Sequence, residues 1–204
     1  MIVGFDFDNT IISYEKLFKK IALKKKLVSK KIKPNKNSIK SYLIKEKQEK
    51  EWTILQGEVY GRYVMDAKIY AGVKKIMESL SKNKTKFYII SHKTKFPYLG
   101  KKVNLHTAAK KWINKNILKN NNLINLTKKD VFFENSIKKK VSRINKLKCN
   151  IYVDDLPKIL DLLPQRVIKV LFMPHNKKHH KNQHIKQNII MRKWVDFNKI
   201  ISSQ

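Results

Sequence analysis

Met1-Ile2-Val3-Gly4-Phe5-Asp6-Phe7-Asp8-Asn9-Thr10 opens the chain with an apolar run that ends in two carboxylates and a hydroxyl. A continuous apolar and aromatic run reads as a strand covered on both faces, as in a parallel α/β sheet, and such sheets place ligands at the carboxyl ends of their strands. Asp6 and Asp8 share parity, so along a continuing strand they point to one side, and Asn9 is suited to a tight turn. Two carboxylates gathered at a strand end repel one another unless a cation neutralises them. The stretch therefore reads as a Mg²⁺ site in which one carboxylate also acts as a nucleophile. A solvated turn or a helix N-cap would use the same residue types, so the rest of the chain has to decide.

The 204 residues suffice for one α/β domain with a modest inserted module. No stretch has the length of a membrane helix, and Asp6 and Asp8 interrupt the first apolar run too early for a signal peptide, so the chain reads as cytoplasmic with no membrane partner. Its single cysteine, Cys149, lies in an apolar-flanked run and reads as a buried thiol in a reducing compartment. The net charge of +32 asks for a polyanionic partner, yet Arg62, Arg143, Arg166 and Arg192 are the only arginines beside a large excess of lysine. Bidentate phosphate recognition favours arginine, so most of this charge reads as solvated surface that draws anions inward, with nucleic acid as a less favoured partner.

Few acidic residues are present, and they cluster: four of the fifteen are Asp6, Asp8, Asp154 and Asp155. Ile151-Tyr152-Val153-Asp154-Asp155 repeats the opening pattern of apolar strand and paired carboxylates. Between the two, Lys86-Phe87-Tyr88-Ile89-Ile90-Ser91 is an apolar strand closed by a hydroxyl, preceded by Tyr70-Ala71-Gly72-Val73 and a helix with Val73, Ile76, Met77 and Leu80 on one face. Residues 138 to 147 read as a further helix with Val141, Ile144 and Leu147 inward.

The set of D-x-D-x-T, Ser91, a lysine among Lys138, Lys139 and Lys140, and the double aspartate, in that order from Met1 to about Leu160, resembles the four motifs of the haloacid-dehalogenase-like phosphohydrolase superfamily. The resemblance implies a doubly wound parallel α/β sheet, Rossmann-like, with a small helical cap inserted after the first strand. It places the core at residues 1–12 and 70–204 and the cap at 13–69. It also implies Asp6 as nucleophile, Asp8 as acid and base, Thr10, Ser91 and Lys140 on the phosphoryl group, and Mg²⁺ held by Asp6, Asp8, Asp154 and Asp155. Of the three lysines the resemblance prefers Lys140, which precedes the first inward residue of its helix as the lysine of that superfamily typically does. Ala71 and Asn9 depart from the usual Pro and Gly of the superfamily. A carboxylate at position 8 points to phosphatase chemistry on a small phosphate monoester. The competing expectations are a nucleic-acid end-processing phosphatase and a non-catalytic binding protein on the same fold.

Within the expected cap, Ser13 reads as the N-cap of a helix through about Lys26 with Leu17, Phe18 and Ile21 on one face. A second helix is expected from Ser38, carrying Ile39, Tyr42 and Leu43, with lysines on the solvated faces. The segment from Trp52 to Arg62 changes composition, and Gln56, Tyr60 and Arg62 are its candidate specificity residues. After Ser91, His92 and Lys93 are candidates for contact with the substrate's anionic part. His106 opens a helix with Ala108, Ala109 and Trp112 and reads as a hydrogen-bonded structural histidine. His175, His179, His180 and His184 lie in a polar stretch without carboxylate or thiolate and read as solvated loop. Residues 167 to 172 read as a strand and Ile190 to Ile201 as a closing helix.

Overall fold

The computed structural model describes residues 1–119, 121–174 and 188–202. The opening apolar run forms β1 (Ile2–Phe5), and the chain then turns through Asn9, whose φ of 59° lies in the left-handed region that asparagine tolerates. A two-residue strand β2 (Ile12–Ser13) leads into three helices, α1 (Glu15–Lys24), α2 (Lys36–Lys45) and α3 (Glu49–Tyr60). The chain returns through β3 (Lys68–Ile69), antiparallel to β2 with Ile12 opposite Ile69. The helical module is thus joined to the rest of the molecule by a ribbon of two residue pairs.

The remainder alternates strand and helix: α4 (Val73–Lys82), β4 (Lys86–His92), α5 (Leu105–Ile113), β5 (Val131–Glu134), α6 (Ile137–Lys146), β6 (Ile151–Asp154), α7 (Pro157–Leu160), β7 (Ile168–Phe172), β8 (Ile189–Met191) and α8 (Phe197–Ser202). Six strands form one parallel sheet in the order β5-β4-β1-β6-β7-β8. This is the doubly wound α/β sheet that the sequence predicts, and β1 lies at its centre, covered on both faces. On one face Phe5 packs 5.3 Å from the Trp194 ring and 5.6 Å from Phe197. On the other, Tyr152 lies over Gly4, where an added Cβ would come within 2.5 Å of its ring.

Several local expectations are corrected. Ser13 is in a strand rather than an N-cap: Tyr14 precedes α1 with no side-chain cap, because residues 12–13 pair with β3. Leu17, Phe18 and Ile21 are buried as the spacing requires. Helix α2 begins two residues before Ser38, because the Asn35 side chain accepts from the Ser38 amide and caps it, and Tyr42 is exposed while Ile39 and Leu43 are buried. The expected closing helix from Ile190 to Ile201 is instead an edge strand that pairs with β7, a 3₁₀ turn at Trp194–Asp196 and the short α8. Trp194 and Phe197 are still buried, so the helical spacing reflected the turn and α8 alone. Strand β5 has no counterpart among the sequence expectations. His175, His179, His180 and His184 lie outside the described residues.

Candidate active site

Neighbouring strands β4, β1 and β6 end side by side, and their ends carry Ser91, Asp6 and Asp154. The Asp6 amide donates to the Val153 carbonyl at 2.8 Å, extending the pairing of β1 with β6 by one residue and aligning the two carboxylates. Helix α6 starts at a Ser136 N-cap and buries Lys140 to 2% exposure, while Lys138 and Lys139 remain exposed. The geometry singles out Lys140 among the three lysines. Its Nζ donates to Asp6 Oδ1 at 2.5 Å and to Asp154 Oδ2 at 2.7 Å, and Ser91 Oγ donates to the same Asp6 oxygen at 2.9 Å.

Ligand oxygens of Asp6, Asp154 and Asp155 all lie within 4.8 Å of one another. Burial pushes the Asp6 carboxyl up to about 7, against the pull of the Lys140 ammonium and with the help of Asp154 and Asp8. Burial likewise holds Asp155 well above the usual carboxylate range, with Asp154 and Asp6 adding to it. Burial works against the charge on Lys140, but Asp154 and Asp6 overcome it and hold the ammonium well above its ordinary range.

Once all three carboxyls are ionised they exceed the single Lys140 ammonium by two negative charges, which is why burial and mutual repulsion favour protons on Asp6 and Asp155 when no cation offsets them. The donors are all hard oxygens, and Thr10, four residues after Asp6, has a buried hydroxyl with no hydrogen-bond partner among the described residues. This set fits a small, hard divalent cation.

Asp8 stands apart from the cluster with its own partners. Tyr14 OH donates to its Oδ1 at 2.7 Å and Lys93 Nζ to its Oδ2 at 2.6 Å. Tyr60, from the last turn of α3, reaches this group: the Lys93 ammonium is 4.9 Å from its ring centroid, and the Tyr14 ring is 4.8 Å away. Burial raises the Tyr60 hydroxyl, aided by Asp8, while a hydrogen bond with Gln56 and the Lys93 ammonium act in the opposite direction. Gln56 therefore belongs to the same wall.

Arg62 does not join it. Its guanidinium lies 5.3 Å from the Tyr63 ring, and it lines a separate 280 Å³ cavity with Ile54, Glu58 and Leu99. His92 is exposed at the end of β4, and its imidazole is lowered by partial burial. The ring nitrogen Nε2 of His106 bonds the Lys93 carbonyl at 2.7 Å, which makes it the structural support of the Lys93 turn.

Tyr14 and Lys36 are the residues whose proximity to the carboxylates the sequence reading missed. Tyr14 hides in the misplaced N-cap. Lys36 stands just before the helix expected from Ser38, and the observed start of α2 at Lys36 puts it three positions before buried Ile39 and seven before buried Leu43, on the inward stripe.

No protein-family model and no curated protein matches the chain. Solved structures do. A haloacid-dehalogenase-superfamily hydrolase from Ehrlichia chaffeensis is 14% identical at a TM-score of 0.53, over 99% of this chain and 96% of the other. A phosphoserine phosphohydrolase-like protein from Francisella tularensis is 16% identical at 0.55, over 98% of each. A predicted phosphoglycolate phosphatase from Haemophilus somnus is 13% identical at 0.60, over 98% and 97%. The described residues share the fold of these haloacid-dehalogenase-superfamily structures.

Proposed function

We propose that this protein is a Mg²⁺-dependent phosphatase that hydrolyses a small phosphate monoester through an aspartyl-phosphate at Asp6. The observation that carries this reading is the setting of Asp6: a buried carboxylate at the C-terminal edge of the sheet, held at one oxygen by both Lys140 and Ser91, with Asp8 two residues on and held separately. The fold shared with hydrolases supports it.

Asp6, Asp154 and Asp155, with the backbone carbonyl of Asp8, would hold Mg²⁺, whose charge would offset that of the carboxylates and of the phosphoryl oxygens. The Asp6 carboxylate forms a bond to phosphorus as the ester oxygen leaves. Asp8 gives that oxygen its proton, then takes one from the water that cleaves the acyl-phosphate and regenerates Asp6. Tyr14 and Lys93 fix the Asp8 carboxyl for both transfers. Ser91 and Thr10 supply hydroxyl donors to the phosphoryl oxygens, and Lys140 neutralises charge that grows there.

Residues 13–69 act as the cap and choose the substrate, with the core formed by 1–12 and 70–204. The approach of Tyr14 and Tyr60 to Asp8 and Lys93 supports a covered site for a small molecule over an open groove for a polynucleotide end. We place the protein in the cytoplasm, consistent with the buried lone Cys149. Among the described residues no helix is long and apolar enough to cross a membrane.

Hydrolysis of p-nitrophenyl phosphate with Mg²⁺, and its loss with EDTA and in Asp6→Asn, tests the reading. Equal turnover by Asp6→Asn would overturn it.

A further inference from the structure

Tyr60 stands against both of the residues that hold Asp8. Its ring meets that of Tyr14 nearly at right angles, 80° between planes and 4.8 Å between centroids, and the Lys93 ammonium lies 4.9 Å from its own centroid. Tyr14 OH and Lys93 Nζ in turn take one Asp8 oxygen each, at 2.7 Å and 2.6 Å. Three segments far apart in the chain therefore converge on one carboxylate, and a single ring neighbours both of its partners.

The rest of the Tyr60 side chain is engaged within the helical module. Its hydroxyl is hydrogen-bonded with Gln56, one turn earlier on α3. Phe18 of α1 packs on the ring at 5.7 Å and 85°, and the Lys36 ammonium of α2 lies 5.4 Å from the centroid. All three helices of the module thus meet at this ring.

The seat of α3 is also set from the core. Residues 96–104 form a loop closed by the Leu105 amide, which donates to the Lys95 carbonyl at 2.9 Å. The loop lies against α3 at Gly57, three residues before Tyr60, where an added Cβ would come within 2.7 Å of Pro97 Cβ. Lys93 stands just before this loop, and His106 just after it bonds the Lys93 carbonyl at 2.7 Å. One short stretch of the core therefore brings Lys93 to Asp8 and packs against the helix that bears Tyr60. A lysine stem is flexible and loses rotamer freedom when it is held, so a rigid aromatic surface beside it narrows the directions its ammonium can take. The Tyr60 ring supplies that surface to Lys93, with cation–π attraction added, and a perpendicular aromatic neighbour to Tyr14.

We propose that Tyr60 is a positioning residue, whose ring keeps Tyr14 and Lys93 on Asp8 and so aims the acid that protonates the leaving oxygen. This deepens the phosphatase reading and rests on it. The helical module then takes part in bond cleavage through α3, beyond its part in choosing the substrate.

The test compares p-nitrophenyl phosphate with benzyl phosphate, two aromatic esters of similar size. p-Nitrophenolate leaves without a proton, whereas the benzyl alkoxide needs one, so the ratio of their kcat/KM values reads the acid. Asp8→Asn sets the scale by losing far more with the benzyl ester. Tyr60→Leu and Tyr60→Met both remove the ring, and Met keeps more of the apolar volume. Each should lose on the order of 10- to 100-fold more with benzyl phosphate than with p-nitrophenyl phosphate, chiefly in kcat. Tyr60→Phe, which keeps the ring, should retain most of the wild-type ratio. Melting temperatures check that the variants are folded.

Carbon-13 NMR of protein labelled at the aspartate carboxyls reads the same hold without turnover. The Asp8 signal, assigned by its absence in Asp8→Asn, should move in the ringless variants and stay in place in Tyr60→Phe. If the wild type hydrolyses neither ester and the signal nevertheless moves with loss of the ring, the phosphatase reading falls and the hold of Tyr60 on Asp8 stands. An equal loss with both esters overturns the proposal, since a merely structural ring would produce it. So does a rise in KM with kcat unchanged, which marks a substrate contact, or an Asp8 signal indifferent to the ring.

Discussion

Lys93 Nζ and Asp8 Oδ2 are 2.6 Å apart, and the lysine side chain is 2% exposed against 20% for the aspartate. The ammonium is therefore committed to one carboxylate, on the face of Phe7 and Tyr60. Tyr14 holds the other oxygen, so Asp8 keeps a partner when Lys93 is lost. Lys93→Met should destabilise by about 1–3 kcal/mol, less than a fully orphaned buried charge would. In urea unfolding, Asp8→Asn combined with Lys93→Met should cost clearly less than the two single changes together. Simple additivity would mean that the pair is not coupled.

The acidic cluster makes stability depend on pH in an unusual direction. An Asp6 carboxyl raised from 3.8 to about 7 binds a proton in the folded state that the unfolded chain has released, and Asp155 acts in the same sense. The folded protein then gains protons relative to the unfolded one, so stability is full below about pH 4 for this contribution and is lost as pH rises through about 7. The loss is on the order of a few kcal/mol. In EDTA the protein should melt lower at pH 8 than at pH 5.5. Adding Mg²⁺ should raise the melting temperature more at pH 8, where the carboxylates are free to bind it. An equal Mg²⁺ effect at both pH values would contradict the assignment of the cluster.

Lys140 is the only cation bonded to Asp6 and Asp154 among the described residues. Lys140→Met removes it from a buried site and should cost about 3–5 kcal/mol in the metal-free protein, together with turnover. Chemical denaturation with EDTA measures this. Lys140→Arg should not restore activity, because a planar guanidinium cannot take the place of a point donor shared by two convergent oxygens.

Gly4 is fixed by contact rather than by conformation. An added Cβ would stand 2.5 Å from the Tyr152 ring and 3.2 Å from Cys149 Sγ. Tyr152 is buried and anchored through its hydroxyl to the Ile90 carbonyl, so it cannot swing aside. Gly4→Ala should destabilise by about 1–3 kcal/mol and disturb β1, and so lower activity alongside stability.

Much of the core was legible because its strands are unbroken apolar runs that stop abruptly at carboxylates or a hydroxyl. Asp6, Ser91 and Asp154 each read as the end of such a run, whereas the adjacency of the three strands is set by their pairing in the sheet. The edges were harder to read. Strand β5 offers only Val131, Phe132 and Phe133 between polar residues, and β8 is three residues long, next to a turn whose Trp194 and Phe197 mimic helical spacing. Lys93 carried a readable signal, since it shares parity with Ser91 beyond the end of β4. Lys36 carried one as well, through its spacing to Ile39 and Leu43. The abundance of lysine hides Lys36, because it empties that residue type of local meaning, whereas Lys93 stands out by its place after Ser91 and reads as an anion contact, its partner in the fold being Asp8. Arg62 misled for the opposite reason: rarity drew attention to a side chain that stacks on Tyr63, away from the carboxylates.

The ribbon of β2 and β3 is where an engineer would cut. Both crossings between sheet and helical module pass through two adjacent residue pairs, so a foreign module could be grafted between Ser13 and Lys68 without changing the register of the six-stranded sheet. The first side chain past that graft point, Tyr14, reaches back to Asp8. A transplant would therefore carry part of the reaction centre with it, and a donor lacking a hydroxyl at its first position would leave Asp8 to Lys93 alone.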